Sequence, residues 1–515
     1  MDAIAELFPN LYLGFTVAFS LENLAYCFIG VFVGTVIGVL PGIGPLAAIA
    51  MLLPLTFKLD PVAALIMLSG IYYGTKYGGS TTAIMLKLPG ESASVVTCLD
   101  GYEMAKQGRA GPALGIAAVA SFIAGSIGTL LIGLFGPPLA EVALLFGAPE
   151  YFSLMLFSLI GAAVLVHGSM LKALGMIVLG LLLGIVGTDV NSGLSRFTFG
   201  VTGLTDGISF VVIAMGLFGF AEIVANLEQS SLSRDLLFQK VKNLWPSWKD
   251  FKQSWNPMMR GSALGAFFGI LPGAGPTIAS FSAYTLEKKI SKNQAQFGKG
   301  AIEGVASPEA ANNSASQCEF IPTLALGVPG SATMALILGA LTIQGIAPGP
   351  QVMTQRPDLF WGLIVSMWIG NFMLLVLNLP LIGLWVKLLM VPYRLLFPAI
   401  MVFMAIGVYS VNNSPLDIYL SLLFGVLGYV FIKFKCEPAP LILAVVLGPL
   451  MEENLRRALL ISRGDASVFV TRPISAGFLV ATLVLLAVMI LPAVMKKREQ
   501  PDEEPAQAPT RADPA

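Results

Sequence analysis

Histidine is almost missing from this chain, with His167 the only one in 515 residues. Cysteine is nearly as scarce: Cys27, Cys98, Cys318 and Cys436 lie far apart, with no Cys-x-x-Cys pair. That scarcity argues against a zinc site or a disulfide framework as the organising element. Charge is thin too, at 12% of residues against 56% hydrophobic, and mean hydropathy is +0.80. A soluble protein needs far more charge to cover its surface, so lipid is the solvent for most of this chain. Acids and bases balance at 30 each, whereas a nucleic-acid partner calls for a basic excess. Phosphate-loop chemistry is absent, because "FGKG" at 297–300 has Gly where Ser or Thr is required. No His-Glu-x-x-His or Gly-x-Ser-x-Gly stands at a credible site, and one histidine without clustered acids makes a membrane-embedded enzyme remote. No cofactor is called for, and ATP does not drive the chain directly. The start, "MDAIAELFPNLYLGF", lacks the basic flank of a signal peptide and is expected to stay on the mature protein.

What the chain has in abundance is apolar runs near bilayer length. Clear ones cover 113–135, 151–166, 173–187, 208–227, 361–385, 398–411, 416–434 and 475–494. They predict an all-α polytopic membrane protein with roughly ten to twelve spans. A β-barrel, built from short alternating strands, is excluded.

The chain also repeats itself. "GVLPGIGPLAAI" opens at Gly38, and "GILPGAGPTIAS" opens at Gly269, 231 residues later. "KLPGESAS" (87–94) follows the first phrase as "GVPGSATM" (327–334) follows the second, and then come "QGRAGP" (107–112) and "QGIAPGP" (344–350). Three landmarks in one order indicate internal duplication. We divide the chain into a first membrane repeat (1–228), a basic linker (229–260), a second membrane repeat (261–495) and a disordered tail (496–515).

Charge suggests how the repeats are oriented. No Lys or Arg precedes Lys58, whereas the linker carries Arg234, Lys240, Lys242, Lys249, Lys252 and Arg260 against Asp235 and Asp250. By the positive-inside bias the linker is cytoplasmic and the N-terminus outside, giving inverted-topology repeats. Lys496, Lys497 and Arg498 put the C-terminus in the cytoplasm. Since "EKKISKNQAQFGKG" (287–300) is also basic, segment 261–286 reads as a re-entrant hairpin turning at "PGAGP".

Main chain that leaves helix inside hydrocarbon exposes polar groups that something must answer. The helices resuming near Leu46 and Thr277 present free N–H groups and positive dipole ends, and Pro45 and Pro276 suit a first helical turn. Gly42, Gly44, Gly273 and Gly275 let a ligand approach the backbone. Such turns favour carboxylates, while carbonyls of the broken segment can hold a cation, with Na+ expected near Gly42, Gly273 and Asn313. Hydroxyls and amides gather close by in sequence: Ser80, Thr81 and Thr82 beside Gly79, then Asn312, Asn313 and Ser314, and Ser331. They can grip an anion without the cost of a buried charge. The nearby ionisable residues are Lys76, Lys87, Glu91, Glu303, Glu309 and Glu319, of which the lysines are candidates to neutralise an anionic substrate.

In combination "GVLPGIGP", "YGGSTTAI", "LPGESAS", "EAANNSAS", "PTLALGVPGSATMALILGAL", "RFTFGVTGLTDGIS" and "GLFGFAEI" resemble the large membrane subunit of tripartite tricarboxylate transporters, the TctA family. The likeness runs from about residue 20 to 495. It implies cation-coupled secondary uptake of a carboxylate across the bacterial inner membrane. It also implies two partners, a small TctB-like membrane subunit and a periplasmic TctC-like solute-binding protein. The family's glycine-rich signatures fall on Pro41–Pro45 and Pro272–Pro276, its polar loops on Tyr77–Thr82 and Asn312–Ser314, and its later pairs on Pro89-Gly90 and Pro329-Gly330. One departure is "QCEF" with Glu319, where the resemblance leads one to expect a small, glycine-containing run. The expectation is Na+- or H+-coupled import of a small, tricarboxylate-like anion; the rivals are an anion channel and a carrier that needs no binding protein.

Overall fold

Short polar side chains and proline mark where helices begin. Ser20 Oγ accepts from Asn23 N at 3.3 Å to cap one helix, and Asp60 Oδ1 accepts from Val62 N at 2.9 Å just before Pro61 starts another. The computed structural model describes residues 2–40, 43–165, 169–189, 191–229, 244–271, 275–388 and 393–498.

Five helices open the chain: α1 (Asp2–Ala18), α2 (Leu21–Val39), α3 (Pro45–Leu52), α4 (Pro61–Leu86) and α5 (Val95–Lys106). Next come α6 (Ala110–Ala143), α7 (Ala148–Leu165), α8 (Met170–Gly184), α9 (Phe210–Ala214) and α10 (Ala221–Gln229). A π-helical stretch, Met215–Phe220, joins the last two. Beyond the linker run α11 (Trp248–Ile270), α12 (Gly275–Ile290), α13 (Glu303–Cys318), α14 (Phe320–Ala325), α15 (Ala332–Ile343) and α16 (Gln351–Gln355). Then follow α17 (Pro357–Asn378), α18 (Ile382–Leu388), α19 (Tyr393–Asn412) and α20 (Pro415–Lys433). The chain closes with α21 (Ala439–Ile461), α22 (Val468–Thr471) and α23 (Pro473–Arg498). Strands β1 (Gly187–Thr188) and β2 (Ser195–Arg196) pair antiparallel, Gly187 opposite Arg196, and are the only ones among the described residues.

Among the described residues four helices, α2, α6, α17 and α20, are long and apolar enough to cross a membrane, and eight shorter apolar helical stretches accompany them. The chain is a helical, multi-pass membrane protein. Particular expectations shift. The run 361–385 is broken between α17 and α18, and α8 stops at Gly184. Lys249, Lys252 and Arg260 of the expected linker lie on α11, and α23 carries the chain to Arg498. Residues 230–243 of the linker and 499–515 of the tail fall outside the described residues.

The two stretches expected to be polar loops are helical. Tyr77–Thr82 lies within α4 and Asn312–Ser314 within α13. Both helices are buried along nearly their whole length, α13 completely. A helix enclosed on all sides needs no amphipathic stripe, and small residues let neighbours come close; packing therefore overrides the local preference of Gly, Ser and Asn for turns.

α2 lies against α4 through Gly30, Gly34 and Gly38. A methyl group on Gly34 would stand 2.5 Å from the Ile71 carbonyl oxygen; at Gly30 and Gly38 the oxygens met are those of Met67 and Thr75. α11 repeats this on α13: Gly261, Gly265 and Gly269 face the carbonyls of Ser307, Ala311 and Ala315. Each glycine stands 231 residues after its counterpart, and each carbonyl 240 after. α6 packs on α13, and α17 on α4.

Candidate substrate-binding site

Both interrupted helices end beside one cavity of about 420 Å³. At the first break, Leu40 closes α2 in extended conformation, and Gly44, at φ −76° and ψ 174°, leads into α3 without a side-chain cap. The first intrahelical bond runs from Ala48 N to Gly44 O at 3.0 Å. The amides of Leu46 and Ala47, two residues that line the cavity, thus come before the first intrahelical bond, at the positive end of the helix. At the second break Gly275, at φ +60°, opens α12, and Thr277 and Ile278 line the same cavity. The Pro-Gly turns complete the wall through Gly90, Glu91 and Ser92 on one side and Ser331 and Thr333 on the other. The hydroxyls of Ser92 and Thr277 meet at 2.8 Å, joining the first Pro-Gly turn to the second Pro-Gly-x-Gly-Pro helix.

The Pro-Gly turns match in detail. Lys87 (φ +58°) and Gly327 (φ +69°) end their helices in the left-handed region. Glu91 and Ser331 follow in the same extended conformation, both at φ −151°.

Behind the cavity lies a buried polar layer. Lys76 Nζ pairs with Glu91 Oε2, both side chains nearly inaccessible, and stands 5.2 Å from the centre of the Tyr72 ring. Asn312 Nδ2 donates to Glu91 Oε1 at 2.8 Å. Glu319 Oε2 accepts from Ser331 Oγ at 2.8 Å and Tyr72 Oη at 3.2 Å. Deeper still, Glu309 accepts from Ser80 and Thr97 at 2.6 Å each and from Ser121 at 3.4 Å, tying α13 to α4, α5 and α6.

Of the residues expected at the site, Gly44, Gly275 and Ser331 line the cavity. Gly79 sits behind it, where a methyl group would come 3.5 Å from Gly90 Cα. Ser80 and Thr81 border a separate void of about 20 Å³. Thr82 Oγ1 donates to Val39 O at 2.8 Å, and Ser314 Oγ to Ser262 O at 2.8 Å. Asn313 Nδ2 donates to Ser121 Oγ at 2.8 Å, and Asn312 reaches the cavity wall only through Glu91. Gly42, Gly273 and His167 lie outside the described residues. Lys76 lines the cavity but is already neutralised by Glu91, while Lys87 lies over the Tyr102 ring at 5.7 Å. No group of three or more His, Cys, Asp or Glu side chains able to hold a metal ion occurs among the described residues.

Sequence reading missed Tyr72, Glu222 and the start of α21 as parts of this region. Thr277, expected as the start of a resuming helix, brings its hydroxyl to the cavity wall as well. Tyr72 and Glu222 carry no signal beyond being polar groups in apolar surroundings.

A model of the tripartite tricarboxylate transporter TctA family matches residues 24–443. This chain belongs to the TctA family. An uncharacterized 52.8 kDa protein from the TAR-I ttuC' 3' region of Agrobacterium vitis is 58% identical over 495 residues, 96% of this chain and 98% of that protein. A second uncharacterized protein, from the TAR-II ttuC' 3' region of the same organism, is 60% identical over 236 residues, 46% of this chain and 98% of its own length. No solved structure matches. Membership makes this TctA-family chain a membrane component of a transport system, in a family of transporters and not of enzymes.

Proposed function

We propose that this chain is the large transmembrane subunit of a binding-protein-dependent secondary transporter that imports a small, tricarboxylate-like anion in symport with Na+ or H+. The observation that carries the reading is the convergence of both interrupted helices and both Pro-Gly turns on one cavity. Two helix N-termini with open first-turn amides are suited to carboxylate oxygens. The resident lysine is spent on Glu91 and the Ser331 hydroxyl on Glu319, so the backbone and the hydroxyl pair of Ser92 and Thr277 are left to hold the anion. The matched glycine contacts support two duplicated halves, which we read as inverted in the membrane with α11–α12 as a re-entrant hairpin. Na+, if used, lies against broken-helix carbonyls near Gly42, Gly273 and Asn313. A small TctB-like subunit and a periplasmic TctC-like protein complete the system in the bacterial inner membrane.

The test is uptake. The chain, reconstituted with its small subunit and binding protein, is offered labelled di- and tricarboxylates with imposed Na+ or pH gradients. Gradient-driven accumulation that depends on the binding protein is expected. Uptake that needs ATP and no ion gradient refutes secondary transport. Ion-channel-like conductance in voltage-clamped bilayers favours the channel instead.

A further inference from the structure

Two carboxyl groups stand at matching places behind the cavity wall, and only one has a cation of its own. Gly79 and Glu319 are 240 residues apart, as are Gly90 and Gly330. In the first half the acid reaches from the Pro-Gly turn toward the helix: a methyl group on Gly79 would lie 3.7 Å from Glu91 Cγ. In the second half it reaches from the helix toward the turn: a methyl group on Gly330 would lie 3.1 Å from Glu319 Cγ. Glu91 is neutralised by Lys76. The residue 240 positions after Lys76 is Ser316, whose hydroxyl donates to Asn312 O at 2.7 Å and brings no charge.

Glu319 is completely buried. Ser331 and Tyr72 satisfy Oε2, while Oε1 has no partner. Oε1 lies 3.5 Å from where a methyl group on Gly275 would stand, and both Gly275 and Ser331 line the cavity. One residue's thickness therefore separates the unanswered oxygen from cavity water. The titratable groups facing it are Tyr72 and Lys76 from α4, Glu91 from the first Pro-Gly turn and Cys318 on its own helix. α15 and α16 carry no ionisable side chain, and those nearest on α11 and α12, Arg260 and Tyr284, lie more than two turns from Gly269 and Gly275. Lys76 is bonded to Glu91, so no neighbour among the described residues supplies Glu319 with a free cation.

A carboxylate enclosed in this way is strongly disfavoured unless a positive charge reaches it. A metal ion needs a cage of several oxygens, and no group of three or more His, Cys, Asp or Glu side chains that could form one occurs among the described residues. A proton needs a single oxygen. Building on the secondary-transport reading above, we propose that Glu319 is the proton-binding site of this chain and that its proton is the coupling ion. Water in the cavity donates the proton to Oε1 on the side of uptake, and the carboxyl group returns it to cavity water after the site has opened to the other side. Ser331 and Tyr72 hold Oε2 throughout, which keeps Oε1 aimed at the wall.

Infrared difference spectroscopy on the purified full chain with its partner subunits tests the site without any substrate. The protonated-carboxyl stretch present at neutral pH is expected to lose intensity in Glu319→Gln and to be unchanged in Glu453→Gln, at a surface ion pair on α21. Identical carboxyl bands in wild type and Glu319→Gln overturn the proposal. Proteoliposomes with a pH-sensitive dye and [14C]citrate test the coupling. Citrate-dependent proton influx in wild type, and its loss together with the pH dependence of uptake in Glu319→Gln, support it. Citrate uptake that is driven by Na+ alone and is equally pH-independent in both proteins overturns it. Wild-type protein that imports no carboxylate counts against the transport reading and overturns the coupling role, while the infrared result still decides the proton site.

Discussion

Glycines at the cavity and glycines between helices are predicted to behave in opposite ways. Gly44 has φ −76°, open to any residue, and among the described residues an added methyl group would meet only Gly90 O, at 4.0 Å. Gly44→Leu should therefore change stability by no more than about 0.5 kcal/mol. Its side chain would occupy the space in front of the Leu46 and Ala47 amides. Losing one charge-assisted hydrogen bond there costs about 1.5–3 kcal/mol, which is about a 10- to 150-fold loss of affinity. Gly34→Ala is the contrast. Its methyl group would stand 2.5 Å from Ile71 O and 2.8 Å from Ile71 Cα, both main-chain atoms that cannot rotate aside. Relief requires α2 and α4 to part by up to about 1 Å, enough to forfeit a quarter to a half of the attraction at each contact, and overpacking of this kind costs about 1–3 kcal/mol. Thermal unfolding and carboxylate binding on the same purified samples separate the two effects. If Gly44→Leu binds with native affinity, or Gly34→Ala melts with wild type, this account of the glycines is wrong.

Three further outcomes are expected. Lys76→Met leaves Glu91 buried and unpaired and should destabilise by about 3–5 kcal/mol; Lys76→Met with Glu91→Met should recover most of the melting temperature but not uptake, and a double variant as unstable as the single one counts against the pairing. Asp100 Oδ1 accepts from the amides of Gly298, Gly300 and Ala301 at 2.8–2.9 Å; Asp100→Ala leaves these unanswered at about 1–3 kcal/mol each, so a melting temperature within error of wild type would refute its role as the anchor of that loop. Asp189, outside the spans, has its carboxyl pushed down to about 2 by the Asn191 amide, the Ser192 hydroxyl and Arg456. Its folded value lies below the unfolded one, about 3.9, so its contribution is complete above that pH and is lost as pH falls through about 2. Asp189→Asn should flatten this part of the acid limb of stability, and an unchanged limb refutes the assignment.

The helix breaks were legible because their cause is local. Proline has no N–H to donate and glycine tolerates backbone that other residues avoid, so "PGIGP" and "PGAGP" interrupt a helix in almost any setting. The spacing of Gly30, Gly34 and Gly38 against Gly261, Gly265 and Gly269 was equally present in the sequence, but what each glycine meets was not. Tyr77–Thr82 and Asn312–Ser314 read as loops because Gly, Ser and Asn favour turns locally. Enclosure of α4 and α13 by other helices outweighs that preference. The Lys76–Glu91 pair was hidden for another reason, since the two stand 15 positions apart across the end of a helix and a tight turn.

By itself the sequence determined that the chain lives in lipid, that it is helical, and that two of its helices break at proline and glycine. These follow from composition and from steric limits acting within a few residues. Only the tertiary structure decided that the two breaks open on one cavity, that Lys76 is already neutralised, and that Glu319 stands beside that cavity without a cation. Each of these depends on how α4 and α13, more than 200 residues apart in the chain, are pressed together by the helices around them.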